Sequence, residues 1–127
     1  MAKKRILVVD DEKALAQFVK KALEQTGTYE VCTETDARQA LATAKAFKPE
    51  LVFMDVAMPH MDGGDVAAQF KEDGDLKGVP VIFLTGAVTK DEAGGQGGMI
   101  GGRPFIAKPA KIQELVTAIE RYLPPQK

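Results

Sequence analysis

The sequence is poor in residues that build disulfides and soft-metal centres, with one cysteine, Cys32, and one histidine, His60, in 127 residues. A lone thiol excludes an internal disulfide and suits a reducing compartment. A lone imidazole with no thiolate cluster makes no zinc site, so His60 reads as a loop residue. No apolar run approaches the roughly 20 residues of a membrane-spanning helix. The basic start MAKKRILVVDDEKA has an apolar run only from Ile6 to Val9 before acids follow, too short for a signal peptide. These features together point to the cytoplasm. Neither sign of charge is in excess: the net charge is −1, and no basic helix is present. Bulk binding to nucleic acid or to an anionic membrane is therefore not expected.

Two nucleotide-binding signatures are also missing. The stretch EAGGQGGMIGGRP, Glu92 to Pro104, holds six of the 12 glycines. A dinucleotide fingerprint needs G-x-G-x-x-G directly after a strand. Here Gly95 and Gly97 are followed by Ile100 at the third position, and no G-x-x-x-x-G-K-[ST] occurs.

What is present is alternation. Arg5 to Asp10, Glu50 to Asp55 and Val79 to Thr85 are short apolar runs rich in β-branched residues, apolar on both faces as buried parallel strands are. Tyr29 to Thr33 and Pro104 to Ala107 are weaker strand candidates. Helical periods lie between them. Ala14, Leu15, Phe18, Val19, Ala22 and Leu23 form one apolar stripe, with Gly27 beyond its end. Asp36 can cap a helix carrying Ala40, Leu41 and Ala44 that ends before Pro49. Val66, Ala67 and Phe70 follow Asp62-Gly63-Gly64-Asp65, and Ile112, Leu115, Val116 and Ile119 precede Pro124-Pro125. Strands alternating with helices imply an α/β doubly wound parallel sheet of five strands with about five helices on both faces. The length suits one domain, residues 1–127 with a core of about 4–123.

Ligands of such folds bind beyond the carboxyl ends of the strands. The first strand ends in Asp10-Asp11 and the third in Asp55; the fourth ends in Thr85, and Lys108 follows the fifth. Taken singly, each has a plain reading: acids cap helices, threonine suits strands, and a lysine before proline is an exposed turn residue. Jointly, in strand order, they form an acidic cluster that repels itself unless a cation is present. Hard oxygen ligands favour Mg²⁺, which keeps waters and leaves room for a phosphate oxygen. Lys108 and Thr85 can serve the same group.

The segments VVDDE at Val8 to Glu12, MDVAMPHMDG at Met54 to Gly63, LTG at Leu84 to Gly86 and FIAKP at Phe105 to Pro109 resemble the receiver domain of two-component response regulators across essentially the whole chain. The resemblance implies a flavodoxin-like sheet of strand order 2-1-3-4-5. It implies that Asp55 accepts a phosphoryl group from the phosphohistidine of a sensor histidine kinase or histidine phosphotransfer domain. Mg²⁺, or Mn²⁺, would be held by Asp10, Asp11, Asp55 and the backbone carbonyl of Ala57. Lys108, preceding Pro109 across a cis peptide, would contact the phosphoryl group. Thr85 and Phe105 would be the switch pair, Phe105 turning inward after phosphorylation, and Gly86 would leave space for the loop. Ala57 and Ala87 stand where the family tunes acyl-phosphate lifetime. The chain would be a phosphoacceptor signalling domain assisting its own phosphorylation and dephosphorylation, not an enzyme, with a protein output partner on the 87–123 face.

An aspartyl-phosphate hydrolase of the haloacid-dehalogenase type is the rival reading. It needs a second aspartate two residues beyond the nucleophile, where Asp10 is followed by Glu12 and Asp55 by Ala57. The tail Pro124 to Lys127 reads equally as the end of a single-domain regulator or the start of a linker to an output domain. The glycine stretch falls where a receiver carries its fourth helix. At about 1 kcal/mol per glycine, only a short helix near Lys90 to Gln96 is expected, with a mobile segment to Gly102.

Overall fold

A computed structural model describes residues 3–86, 99–100 and 103–123. Strand β1 (Lys4–Val9) leads to helix α1 (Lys13–Glu24) and strand β2 (Tyr29–Glu34). A 3₁₀ turn (Ala37–Gln39) continues into α2 (Ala40–Phe47), followed by β3 (Leu51–Asp55), α3 (Gly63–Glu72) and β4 (Val81–Thr85). The two-residue strand β5 (Met99–Ile100), β6 (Arg103–Ala107) and α4 (Ile112–Tyr122) complete the described chain. Sheet order is β2-β1-β3-β4-β6-β5. Its five long strands are parallel, in the expected order 2-1-3-4-5, with helices on both faces. The chain reverses its winding direction between β1 and β3, which leaves a crevice above their carboxyl ends.

Alternation within each strand builds two cores. Leu7, Val9, Val52, Met54, Val81 and Phe83 point to the face covered by α2 and α3, where Ala40, Ala44, Val66 and Phe70 meet them. Ile6, Val8, Leu51, Phe53, Ile82 and Leu84 point to the other face, against Ala16, Val19 and Leu23 of α1 and Leu115 and Ile119 of α4. Helix α1 ends where Gly27 takes a φ of 80°, a conformation glycine adopts without strain. Asp36 caps as expected, accepting from the Arg38 N–H, but what it caps is the 3₁₀ turn that precedes α2.

Strand β5 departs from the sequence reading. Met99 and Ile100 pair antiparallel with Pro104 and Arg103, on the outer edge of β6. The helix expected near Lys90 to Gln96 lies outside the described residues, as do Ala87 and the rest of the glycine stretch.

Asp62 opens α3, its Oδ1 accepting from the Asp65 N–H at 2.8 Å. Removing this cap in Asp62→Ala is expected to cost about 1 kcal/mol, while Asp62→Asn, which keeps an acceptor, should cost much less. Urea unfolding of both variants measures the difference.

Candidate functional site

Four strands deliver side chains to the crevice. Asp10 follows β1 and is fully buried, Asp55 ends β3 and Thr85 ends β4, both buried, and Lys108 follows β6. Asp11 is exposed at the mouth. Carboxylate oxygens of Asp10, Asp11 and Asp55 lie within 4.8 Å of one another. The Lys108 ammonium sits among the acids, with Nζ 3.0 Å from Asp10 Oδ2, 3.3 Å from Asp55 Oδ1 and 3.6 Å from Glu12 Oε1.

The local backbone explains this placement. The Lys108 N–H donates to the Thr85 carbonyl at 2.8 Å, tying the residue after β6 to the end of β4. The Lys108–Pro109 peptide is cis, as the resemblance implies. The Asp10 N–H donates to the Glu34 carbonyl at 3.0 Å, and Asp10 Oδ1 accepts from the Glu12 N–H at 2.9 Å. The Val56 N–H donates to Leu84 at 3.1 Å, and the Gly63 N–H to the Val56 carbonyl at 2.8 Å. Asp55 is thereby fixed between β4 and the start of α3.

Electrostatics follow from this crowding. Burial, then the Asp10 charge, push the Asp55 carboxyl up to about 6; Lys108 opposes the rise but does not cancel it. Burial alone would pull the Lys108 ammonium down. Its hydrogen bond and charge pairing with Asp10, joined by Asp55, outweigh that and hold it above the ordinary lysine value. Four carboxylates around one ammonium leave a formal excess of three negative charges. Two buried and one exposed carboxylate, all hard oxygen donors, fit a divalent cation such as Mg²⁺ on the solvent side of the cluster.

The remaining predicted residues are more peripheral. Ala57 lies exposed in the bend after β3, and Gly86 is exposed after β4. His60 is an exposed loop residue with a φ of 72°. Phe105 is only 6% exposed and packs in the core with Phe83 and Val66. Two features escaped the sequence reading. Glu12 reaches Lys108, for which the only signal was a third consecutive acid. Gly63 packs directly on the Asp55 carbonyl, signalled only by Asp-Gly at a helix start.

The sequence matches the family model described as the response regulator receiver domain over residues 6–120. Protein PilG of Pseudomonas aeruginosa is 30% identical over 122 residues, covering 94% of this chain and 87% of PilG. Transcriptional regulatory protein YvrH of Bacillus subtilis is 34% identical over 118 residues, covering 93% of this chain and 48% of YvrH. The chain thus spans about half the length of several transcriptional regulators that it matches. Among solved structures, the chemotaxis protein CheY4 of Vibrio cholerae matches with a TM-score of 0.81 at 30% identity, covering 96% of this chain and all of CheY4.

Proposed function

Because the chain belongs to the response regulator receiver domain family of two-component systems, we propose that Asp55 accepts a phosphoryl group from a phosphohistidine. The donor is a sensor histidine kinase or a histidine phosphotransfer domain. An Asp55 carboxylate oxygen forms the new P–O bond as the P–N bond breaks, and the electron pair leaves on the imidazole nitrogen. Phosphoryl transfer of this kind depends mainly on alignment and charge neutralisation. The observation that carries the reading is the Lys108 ammonium held between Asp10 and Asp55, where it can follow a phosphoryl oxygen onto Asp55.

Asp10, Asp11, Asp55 and the Ala57 carbonyl would hold Mg²⁺, with Mn²⁺ an acceptable substitute. The bound ion supplies positive charge to the phosphoryl oxygens. Asp10 has a second task, since its carboxylate orients Lys108. Thr85, buried at the end of β4, would offer its hydroxyl to the phosphoryl group, and Gly86 would leave room beside it. Phe105 lies inside the core, the inward position that the switch reading assigns to its ring, where burial of apolar surface stabilises it. Phenylalanine has no hydroxyl to hold it near water. A groove of about 370 Å³ between β6 and α4, lined by Pro104, Phe105, Gln113, Thr117 and Arg121, lies on the 87–123 face that we assign to the output partner.

We read the whole chain as one cytoplasmic receiver, a signalling domain that assists its own phosphorylation and dephosphorylation. No helix among the described residues is long and apolar enough to cross a membrane.

The test is intact-protein mass spectrometry after incubation with acetyl phosphate and MgCl₂. One added phosphoryl group per chain is expected, mapping to Asp55 and absent when EDTA replaces the cation. Repeated release of phosphate from simple phosphomonoesters, with no phosphoprotein, would overturn the reading in favour of a hydrolase.

A further inference from the structure

Glu12 belongs to neither the cation cluster nor the core. Its side chain is 66% exposed, yet its carboxylate reaches to 3.6 Å from Lys108 Nζ at the solvent side of the crevice. It opens α1 as the N-cap residue but makes no side-chain capping hydrogen bond, so capping does not account for its placement. Lys108 therefore meets three carboxylates. Asp10 orients it, Asp55 shares the phosphoryl group with it, and Glu12 competes for it from outside.

Resting on the phosphoacceptor reading of Asp55, we infer that Glu12 selects the phosphoryl donor. It disfavours small, highly anionic donors and favours donors that bring positive charge beside the phosphorus. The physical basis is Coulombic. A phosphoryl oxygen bound to Lys108 lies within about 6 to 7 Å of the Glu12 carboxylate, less than a Debye length at physiological salt. There, a dianion is repelled by an amount equivalent to roughly three- to tenfold in rate after partial screening. A donor with one negative charge fewer feels about half the repulsive energy. A protein donor with a lysine or arginine near its phosphohistidine turns the same carboxylate into an attraction.

The chemistry is the same for each small donor. Asp55 forms the P–O bond while the bond from phosphorus to the leaving atom breaks. The electron pair departs with acetate from acetyl phosphate, or with ammonia from phosphoramidate.

The experiment compares initial labelling rates of the parent, Glu12→Gln and Glu12→Asp at saturating MgCl₂. Acetyl phosphate serves as the dianion and phosphoramidate as the less charged donor, each at low and high salt. Glu12→Gln is expected to label about three- to tenfold faster than the parent with acetyl phosphate at low salt, and only about two- to threefold faster with phosphoramidate. Both gains should shrink toward unity near 1 M salt. Glu12→Asp, which keeps the charge, should stay close to the parent. An unchanged rate in Glu12→Gln, or a gain equal for both donors or insensitive to salt, would overturn the inference. Failure of the parent itself to label at Asp55 would instead sink the phosphoacceptor reading, which Asp55→Asn controls separately.

Discussion

Asp55→Asn is expected to lose phosphoryl labelling by at least about a hundredfold, because an amide oxygen is no nucleophile at neutral pH. The same substitution should stabilise the cation-free protein by about 1–2 kcal/mol at pH 7.5. The sign follows from the carboxyl's folded-state pKa of about 6, above the ordinary 3.8 because of burial and the adjacent Asp10 charge. A carboxyl raised on folding binds more protons in the native state than in the unfolded chain between those two values. Its contribution to stability therefore declines as pH climbs from about 4 to about 6, and the penalty is complete above that window. Full conversion of the rise gives roughly 3 kcal/mol; screening by solvent at the open side of the crevice reduces it. Asparagine carries no such penalty at any pH. The gain of Asp55→Asn over the parent should thus be largest above pH 6.5, shrink below pH 5, and shrink again at pH 7.5 when Mg²⁺ neutralises the parent's cluster. Urea unfolding at pH 5 and 7.5, with and without MgCl₂, measures all of this. A gain independent of both pH and Mg²⁺ would show that repulsion in the cluster is not its source.

Gly63→Ala should lower stability by about 1–3 kcal/mol or somewhat more. A methyl group built there overlaps the backbone carbonyl oxygen of Asp55 and comes within 3.0 Å of the Val56 Cα. Neither obstacle is the end of a flexible side chain. Relief requires the start of α3 to move away from the end of β3, which also strains the hydrogen bond from the Gly63 N–H to the Val56 carbonyl. That shift displaces Asp55, the proposed phosphoacceptor, so the fraction of variant that remains folded should also label more slowly than the parent. The neighbouring Gly64 is a useful control. A methyl group there meets only the Asp62 Oδ1, at 3.2 Å, so any cost is confined to the cap that this oxygen makes, and the helix preference for Ala over Gly, about 1 kcal/mol, opposes it; Gly64→Ala should be close to neutral. Thermal unfolding distinguishes them. Equal melting temperatures for the two variants would show that close packing on Asp55 does not constrain position 63.

Much of this molecule was legible in one dimension. The runs ending at Asp10, Asp55 and Thr85 are apolar on both faces, which only a strand buried between two helical layers requires. All three form such strands within a residue or two of the expected bounds. Asp36 announced a helical start because its short side chain satisfies a free N–H nearby in sequence. The strand β5 was illegible for the opposite reason: Met99 and Ile100 sit in a glycine run with no period, and their pairing depends on the edge offered by β6. Phe105 reads in sequence as half of a switch pair, with a plain core ring as the lesser alternative, and only the assembled core that it shares with Phe83 and Val66 shows it inside.

The sequence by itself determined which chemical groups stand at the ends of which strands, because strand length and side-chain alternation are local properties. Only the tertiary structure decided which of those groups touch. Lys108 and Asp10 are 98 positions apart, and no local pattern says that the ammonium lies 3.0 Å from one aspartate, 3.3 Å from another and within reach of Glu12. Parallel pairing of β1, β3, β4 and β6 brings their carboxyl ends to one edge. Burial there, where water is scarce, then makes Asp55 harder to ionise than any reading of its neighbours in sequence implies.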